Sequence, residues 1–150
     1  MSVGVGDPAP AFTLTGVGGV QHSLSDYAGK PVVLVFYPGD DTPVCTKQLN
    51  SYNNELSEFD DVGAQVLAIS AQDLASKEKF QTKHGFKFPL LADPDKAVAA
   101  LYGTLGPIGF PRRSVFVIDA GGTIRYAHRA IAGLTYRPVS ELVEAIKKSS

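Results

Sequence analysis

The sequence predicts an α/β domain with a central mixed, mostly parallel sheet, helices on its faces and a β-hairpin at its N-terminal end. Three observations predict it. The runs 31–37 and 65–70 are continuous, rich in β-branched residues and free of polar alternation, as strands buried on both faces read. Each is followed by a stretch of helical period, the order that parallel pairing requires. The length, 150 residues, suits one domain spanning 1–150 and is short for two.

The elements follow in order. Phe12 and Leu14 alternate with polar neighbours, Gly16-Val17-Gly18-Gly19 turns, and Val20, His22 and Leu24 alternate again, which makes a hairpin. Those glycines would form a phosphate loop only if a helix opening with Lys and Ser or Thr followed, and none does. Pro38-Gly39 ends the first buried strand. Thr42 suits an N-cap and Pro43 the first helical position. Cys45, Leu49, Tyr52, Leu56 and Phe59 then recur on one face of a single helix that closes at 60–63. After strand 65–70, Asp73 caps a helix that passes Phe80 and stops at Gly85. Residues 88–91 are short and extended. Asp93-Pro94 opens a small helix through Val98 and Leu101. Residues 115–118 and 123–127 form a hairpin around Ala120-Gly121-Gly122. Pro138 starts the last helix, with Val139, Leu142, Val143 and Ile146 inward and Lys147-Lys148 at its negative end. In outline this resembles a thioredoxin-like domain.

Composition narrows the function. The net charge is −1, from 14 basic and 15 acidic residues, and no polybasic run breaks the balance. Nucleic acid and anionic membrane therefore lose their usual electrostatic support as partners. No apolar run approaches the roughly 20 residues needed to span a bilayer. The first seven residues carry neither a basic n-region nor an apolar h-region, so a cytoplasmic location is expected. Cys45 is the sole cysteine, which excludes an intramolecular disulfide framework. His22, His84 and His128 lie far apart with no ligand-like spacing, and no metal site is expected.

The chemistry points to the segment that leaves the first buried strand. Cys45 falls at about the third helical residue, near the unpaired N–H groups and the positive end of the helix dipole. Both favour a thiolate over a thiol, and the thiolate is the nucleophile. A lone cysteine on an apolar helix face also reads as a small buried hydrophobe. Its place at a strand-to-helix edge, where α/β folds hold their sites, favours function. Thr42 can cap the helix, serve the site, or both, and Pro38 by itself is turn punctuation. Far away in sequence, Arg112-Arg113 precedes the strand at 115–118. One of them at the mouth of a central strand would stabilise negative charge near Cys45, and the other reading is a solvated basic pair.

These residues resemble the peroxiredoxins, whose pattern is Pro, three residues, Thr or Ser, two residues, Cys. Pro38, Thr42 and Cys45 meet it. The string from Phe36 to Lys47 is similar to the bacterioferritin-comigratory, or PrxQ-like, branch, and the likeness covers nearly the whole chain. It includes the segments 6–12, 23–30, 88–93 and 116–124. The resemblance implies a thioredoxin-like fold and a thiol-dependent peroxidase. It implies that Cys45 attacks a hydroperoxide, that Thr42 holds the peroxide and that Pro38 shields the thiolate. Counting back six positions from Asp119 assigns the family's arginine to Arg113, with Arg112 as the fallback. Neither metal nor organic cofactor is implied.

The sequence departs from many PrxQ-like proteins at Asn50, where a resolving cysteine would stand. A 1-Cys mechanism follows, in which an external reductant resolves the sulfenic acid: a low-molecular-weight thiol, a glutaredoxin-like protein or thioredoxin. A monomer or a homodimer fits the family. A disulfide oxidoreductase would need a second cysteine, which Cys45-Thr46-Lys47-Gln48 lacks. The non-catalytic alternative is a redox sensor or holdase using the same sulfenic acid. Tyr37, Tyr52 and Phe110 are candidates for exposed anchors or for core. Ile108 and Phe110 would give an apolar rim suited to organic hydroperoxides.

Overall fold

The computed structural model describes residues 3–40, 42–105, 112–129 and 137–148. In chain order the elements are β1 (Thr13–Gly16), β2 (Gln21–Ser23), β3 (Val32–Phe36), α1 (Pro43–Asn54), α2 (Leu56–Asp61), β4 (Gln65–Ser70), α3 (Leu74–His84), β5 (Leu90–Ala92), α4 (Ala97–Leu101), β6 (Ser114–Ile118), β7 (Ile124–Arg129) and α5 (Val139–Lys148). Seven strands form one sheet in the order β2-β1-β5-β4-β3-β6-β7.

Side chains alternate across a strand, so each apolar strand feeds two cores. Val33, Val35 and Tyr37 face the layer that holds Cys45, Leu49 and Tyr52 of α1, Phe59 of α2, Phe80 of α3 and Leu142 and Ile146 of α5. Val32, Leu34 and Phe36 face the opposite layer with Phe12, Val98, Tyr102 and Phe116. All five residues of β3 and all five of β6 are buried, which is why neither strand shows polar alternation.

The sheet is mixed, and the hairpin and flanking helices match the expectation. Parallel pairing, however, is confined to β3–β4 and β4–β5, and the β1–β2, β1–β5, β3–β6 and β6–β7 pairs are antiparallel. The parallel part is therefore smaller than "mostly parallel" implies. Only α1 with α2, and α3, act as crossovers between parallel neighbours; the chain reaches β6 on the far side of β3 running the other way.

The single helix expected from Cys45 to Phe59 is two. Glu55 (φ −108°, ψ 22°) separates α1 from α2. It follows Asn53, whose side chain is engaged outside the helix: Nδ2 donates to the Gly85 carbonyl at 3.3 Å and Oδ1 accepts from Lys87 N–H at 2.8 Å. The break still delivers Phe59 to the core, edge-on to Tyr52 with ring centroids 6.1 Å apart. Tyr37 and Tyr52 are both fully buried, so they are core residues and not exposed anchors.

Helix α3 keeps its expected limits. Asp73 accepts a hydrogen bond from Ser76 N–H at 2.9 Å, and Gly85 ends the helix in the left-handed region (φ 68°). Asp73→Ala is expected to lower unfolding free energy by about 1 kcal/mol. Urea titration followed by circular dichroism measures it. Among the described residues no helix is long and apolar enough to cross a membrane.

Candidate active site

The two pairings of β3 assemble the site. Antiparallel register sets Phe36 opposite Ser114, so Arg113, just before β6, lies beside the residues that leave β3. Parallel register sets Phe36 opposite Ile69, so Ser70, at the end of β4, lies on the other side. The chain then turns through Pro38-Gly39-Asp40 into α1, whose third residue is Cys45.

Arg113 Nη1 donates to Cys45 Sγ at 3.2 Å and to Gln48 Oε1 at 2.7 Å. One guanidinium nitrogen carries two hydrogens, so both bonds coexist. Cys45 and Gln48 are fully buried and Arg113 is 3% exposed. A guanidinium is charged at any working pH, and in a water-poor site its charge favours an anion beside it. The sulfur is therefore placed where a negative charge is stabilised, with the N-terminal end of α1 adding its dipole.

Thr42 is the N-cap residue by backbone: its carbonyl accepts the first intrahelical bond, from Thr46 N–H at 2.8 Å. Its side chain, however, does not cap α1; Oγ1 donates to the Gly39 carbonyl at 3.0 Å. This corrects the expectation of a hydroxyl cap. With its proton engaged, the hydroxyl keeps lone pairs that can accept from the O–H of a ligand. Pro38 is half-buried in the same turn, and its carbonyl accepts from Gln72 Nε2 at 3.3 Å.

Of the four residues singled out in the sequence, Arg113 and Cys45 are in direct contact. Thr42 and Pro38 share the turn that precedes α1. Arg112 is exposed, its N–H bonded to the Thr104 carbonyl at 2.6 Å, so the strand register separates the two arginines as the count from Asp119 requires. Asn50, at the position of the missing second cysteine, lies against His84 (Nδ2 to Nδ1, 3.5 Å). Ile108 and Phe110, the expected rim, fall outside the described residues.

Two features were not anticipated. Gln48 is one: a polar residue three positions after Cys45, within the apolar stripe of α1. The other is a buried polar cluster behind the turn. Asp40 accepts from Tyr37 Oη at 2.6 Å, Ser76 Oγ at 2.7 Å and Lys77 Nζ at 3.3 Å. Lys77 is fully buried; its ammonium also bonds Ser70 Oγ and lies 5.1 Å from the Tyr37 ring centroid. Burial is the main reason its pKa falls to about 8, with Asp40 acting against the fall. Burial, and then the Asp40 charge, push the Tyr37 hydroxyl well above its usual value.

Comparison with known proteins places this geometry. Residues 5–127 match the model of the AhpC/TSA family. Peroxiredoxin Q of rice (Oryza sativa subsp. japonica), described as chloroplastic, is 36% identical over 152 aligned positions; these cover 97% of this chain and 66% of the rice protein, just under two thirds of its length. Among solved structures, a cysteine variant of PrxQ from Xylella fastidiosa superposes with a TM-score of 0.90 at 27% identity, covering 99% of this chain and 98% of that one. The bacterioferritin comigratory protein of Xanthomonas campestris, described for its alkyl peroxide reduction activity, superposes with a TM-score of 0.82 at 31% identity, covering 92% and 91%. With the fold, the buried Cys45–Arg113 contact and these likenesses in agreement, the chain belongs to the AhpC/TSA family, in its peroxiredoxin Q branch, as a form carrying one cysteine.

Proposed function

We propose that the chain is a thiol-dependent peroxidase that reduces hydrogen peroxide and organic hydroperoxides by a 1-Cys mechanism. The observation that carries the reading is the 3.2 Å contact between Arg113 Nη1 and Cys45 Sγ. The Cys45 thiolate attacks the terminal oxygen of the hydroperoxide, an S–O bond forms and the O–O bond breaks. Arg113 stabilises charge on the reacting oxygens, and Thr42 accepts from the peroxide O–H to hold it in line. Pro38 walls the turn against water. The leaving oxygen takes a proton and departs as water or an alcohol, and Cys45 becomes a sulfenic acid.

An external thiol then condenses with the sulfenic acid, releasing water and leaving a mixed disulfide. A second thiol attacks that disulfide and returns Cys45 to its reduced form, so two external thiols supply the two electrons. A low-molecular-weight thiol, a glutaredoxin-like protein or thioredoxin meets this need. The reading includes a cytoplasmic location, where such thiols stay reduced, and action as a monomer or a homodimer.

The test mixes reduced protein with one equivalent of hydrogen peroxide, quenches with a sulfenic-acid trap and reads intact mass. The chain has no Trp, so mass is a better signal than fluorescence. Trapping of Cys45 orders of magnitude faster than free cysteine, followed by turnover with a supplied thiol, is the expected result. Reaction at the rate of free cysteine removes the peroxidase reading. Fast trapping without turnover leaves the sensor or holdase.

A further inference from the structure

The Cys45–Arg113 contact continues inward. Gln48 Nε2 donates to Tyr52 Oη at 3.1 Å, and Tyr52 Oη donates to the Arg137 carbonyl at 3.1 Å. Arg137 lies two residues before α5, and its guanidinium pairs with Glu141 in the first turn of that helix. One continuous line of hydrogen bonds thus runs from the sulfur, through α1, to the start of the C-terminal helix.

Its direction is fixed by chemistry. Arg113 is only a donor, so the face of the Gln48 amide turned to it must be the carbonyl oxygen. The NH₂ group then points to Tyr52, whose oxygen accepts. The phenol proton goes to Arg137, whose carbonyl is only an acceptor. A glutamine amide turned the other way would set NH₂ against a guanidinium and leave it without an acceptor. Gln48 and Tyr52 are fully buried, where an unmade hydrogen bond is costly, so the amide has one acceptable orientation.

We propose that Tyr52 is a positioning residue for the peroxidase reaction, fixing the Gln48 amide so that its oxygen holds Arg113 against Cys45. The proposal rests on the peroxidase reading above. Tyr52 acts through its hydrogen bond with Gln48. The ring alone would satisfy the core, since it packs edge-on to Phe59; the hydroxyl is what the chain of bonds uses. Removing the hydroxyl leaves the Gln48 NH₂ and the Arg137 carbonyl each without this partner. The amide keeps the facing that Arg113 imposes but loses its second anchor, so Oε1 can shift and Arg113 loses an acceptor held in one place.

The experiment compares Tyr52→Phe, Gln48→Met and the double variant, using the rate of Cys45 sulfenic acid formation and the rate of alkylation by iodoacetamide. Tyr52→Phe is expected to slow reaction with peroxide about tenfold, which a loss of buried hydrogen bonding of this kind can produce. Alkylation needs the thiolate but no oriented peroxide, so it should slow clearly less than the peroxide reaction. The double variant should be no slower than Gln48→Met, because Tyr52 has nothing left to act through. Phe59→Leu, which loosens the same core without touching the hydroxyl, should lower Tm and leave the peroxide rate unchanged. Additive losses in the double variant, or equal slowing by Phe59→Leu, would show a merely structural role and overturn the proposal. So would a wild-type rate in Tyr52→Phe. If wild-type Cys45 itself reacts no faster than free cysteine, it is the peroxidase reading that fails.

Discussion

Arg113→Ala is expected to slow oxidation of Cys45 by hydrogen peroxide by about 10²–10³-fold, the usual loss when one preorganised donor is removed from a developing oxyanion. The effect is large because Arg113 does two things at once. Its Nη1 holds Cys45 Sγ and Gln48 Oε1 together in a buried site. Alanine leaves the sulfur without that cation and the buried amide oxygen without that donor. Arg113→Lys restores a charge but not the planar fork, and is expected to recover only a small part of the rate. Quenched mixing with intact-mass readout measures both variants. A wild-type rate in Arg113→Ala would remove the arginine from the mechanism.

Lys77→Met is expected to cost about 1–3 kcal/mol of stability, because the buried Asp40 carboxylate loses a donor, while burial already disfavours the lysine charge. Asp40 is 2% exposed at its side chain and Lys77 is wholly shielded. The Tyr37 and Ser76 hydroxyls still bond Asp40, which limits the loss. Adding Asp40→Asn should recover much of it. The pH dependence has a definite sign. Lys77 titrates near 8 in the folded chain and near its ordinary value of about 10.4 when unfolded. Between those values the unfolded chain binds more protons, so this lysine makes stability rise with pH. The deficit of Lys77→Met relative to wild type should therefore widen from pH 8 to 10. Urea midpoints across that range test it, and a constant deficit would contradict the assignment.

The parts of the fold legible in sequence are those set by local pattern. β3 and β4 are continuous apolar runs, α5 carries helical periodicity, and Asp73 and Gly85 mark the ends of α3 with residues chosen for backbone reasons. The break at Glu55 was hidden because Phe59 keeps its place on the apolar face. That 115–118 opens an antiparallel hairpin was legible, but its antiparallel pairing with β3 was not. Strand direction belongs to pairing partners, and a continuous apolar run reads alike in either sense.

In the site, Cys45, Thr42 and Pro38 were legible because they are neighbours in sequence. Arg113 was separable from Arg112 only by counting from Asp119. The Thr42 hydroxyl was misjudged, because its choice between an amide of α1 and the Gly39 carbonyl is set by the turn's tertiary shape. Gln48 carried a signal that could have been used: a polar side chain on a buried helix face needs a partner. Lys77 carried less, since α3 has lysines at 79 and 83 as well and only packing shows which one is buried.

Arg113 and Cys45 are 68 residues apart in sequence. A ribosome therefore finishes Cys45 before it makes the guanidinium that contacts it. A chain halted after β4 would hold Cys45 with no β6 to bring the guanidinium to it. The Arg113–Cys45 contact is in this sense withheld until β6 has docked against β3. Completion of the sheet is therefore the condition for the contact on which the proposed peroxidase chemistry rests.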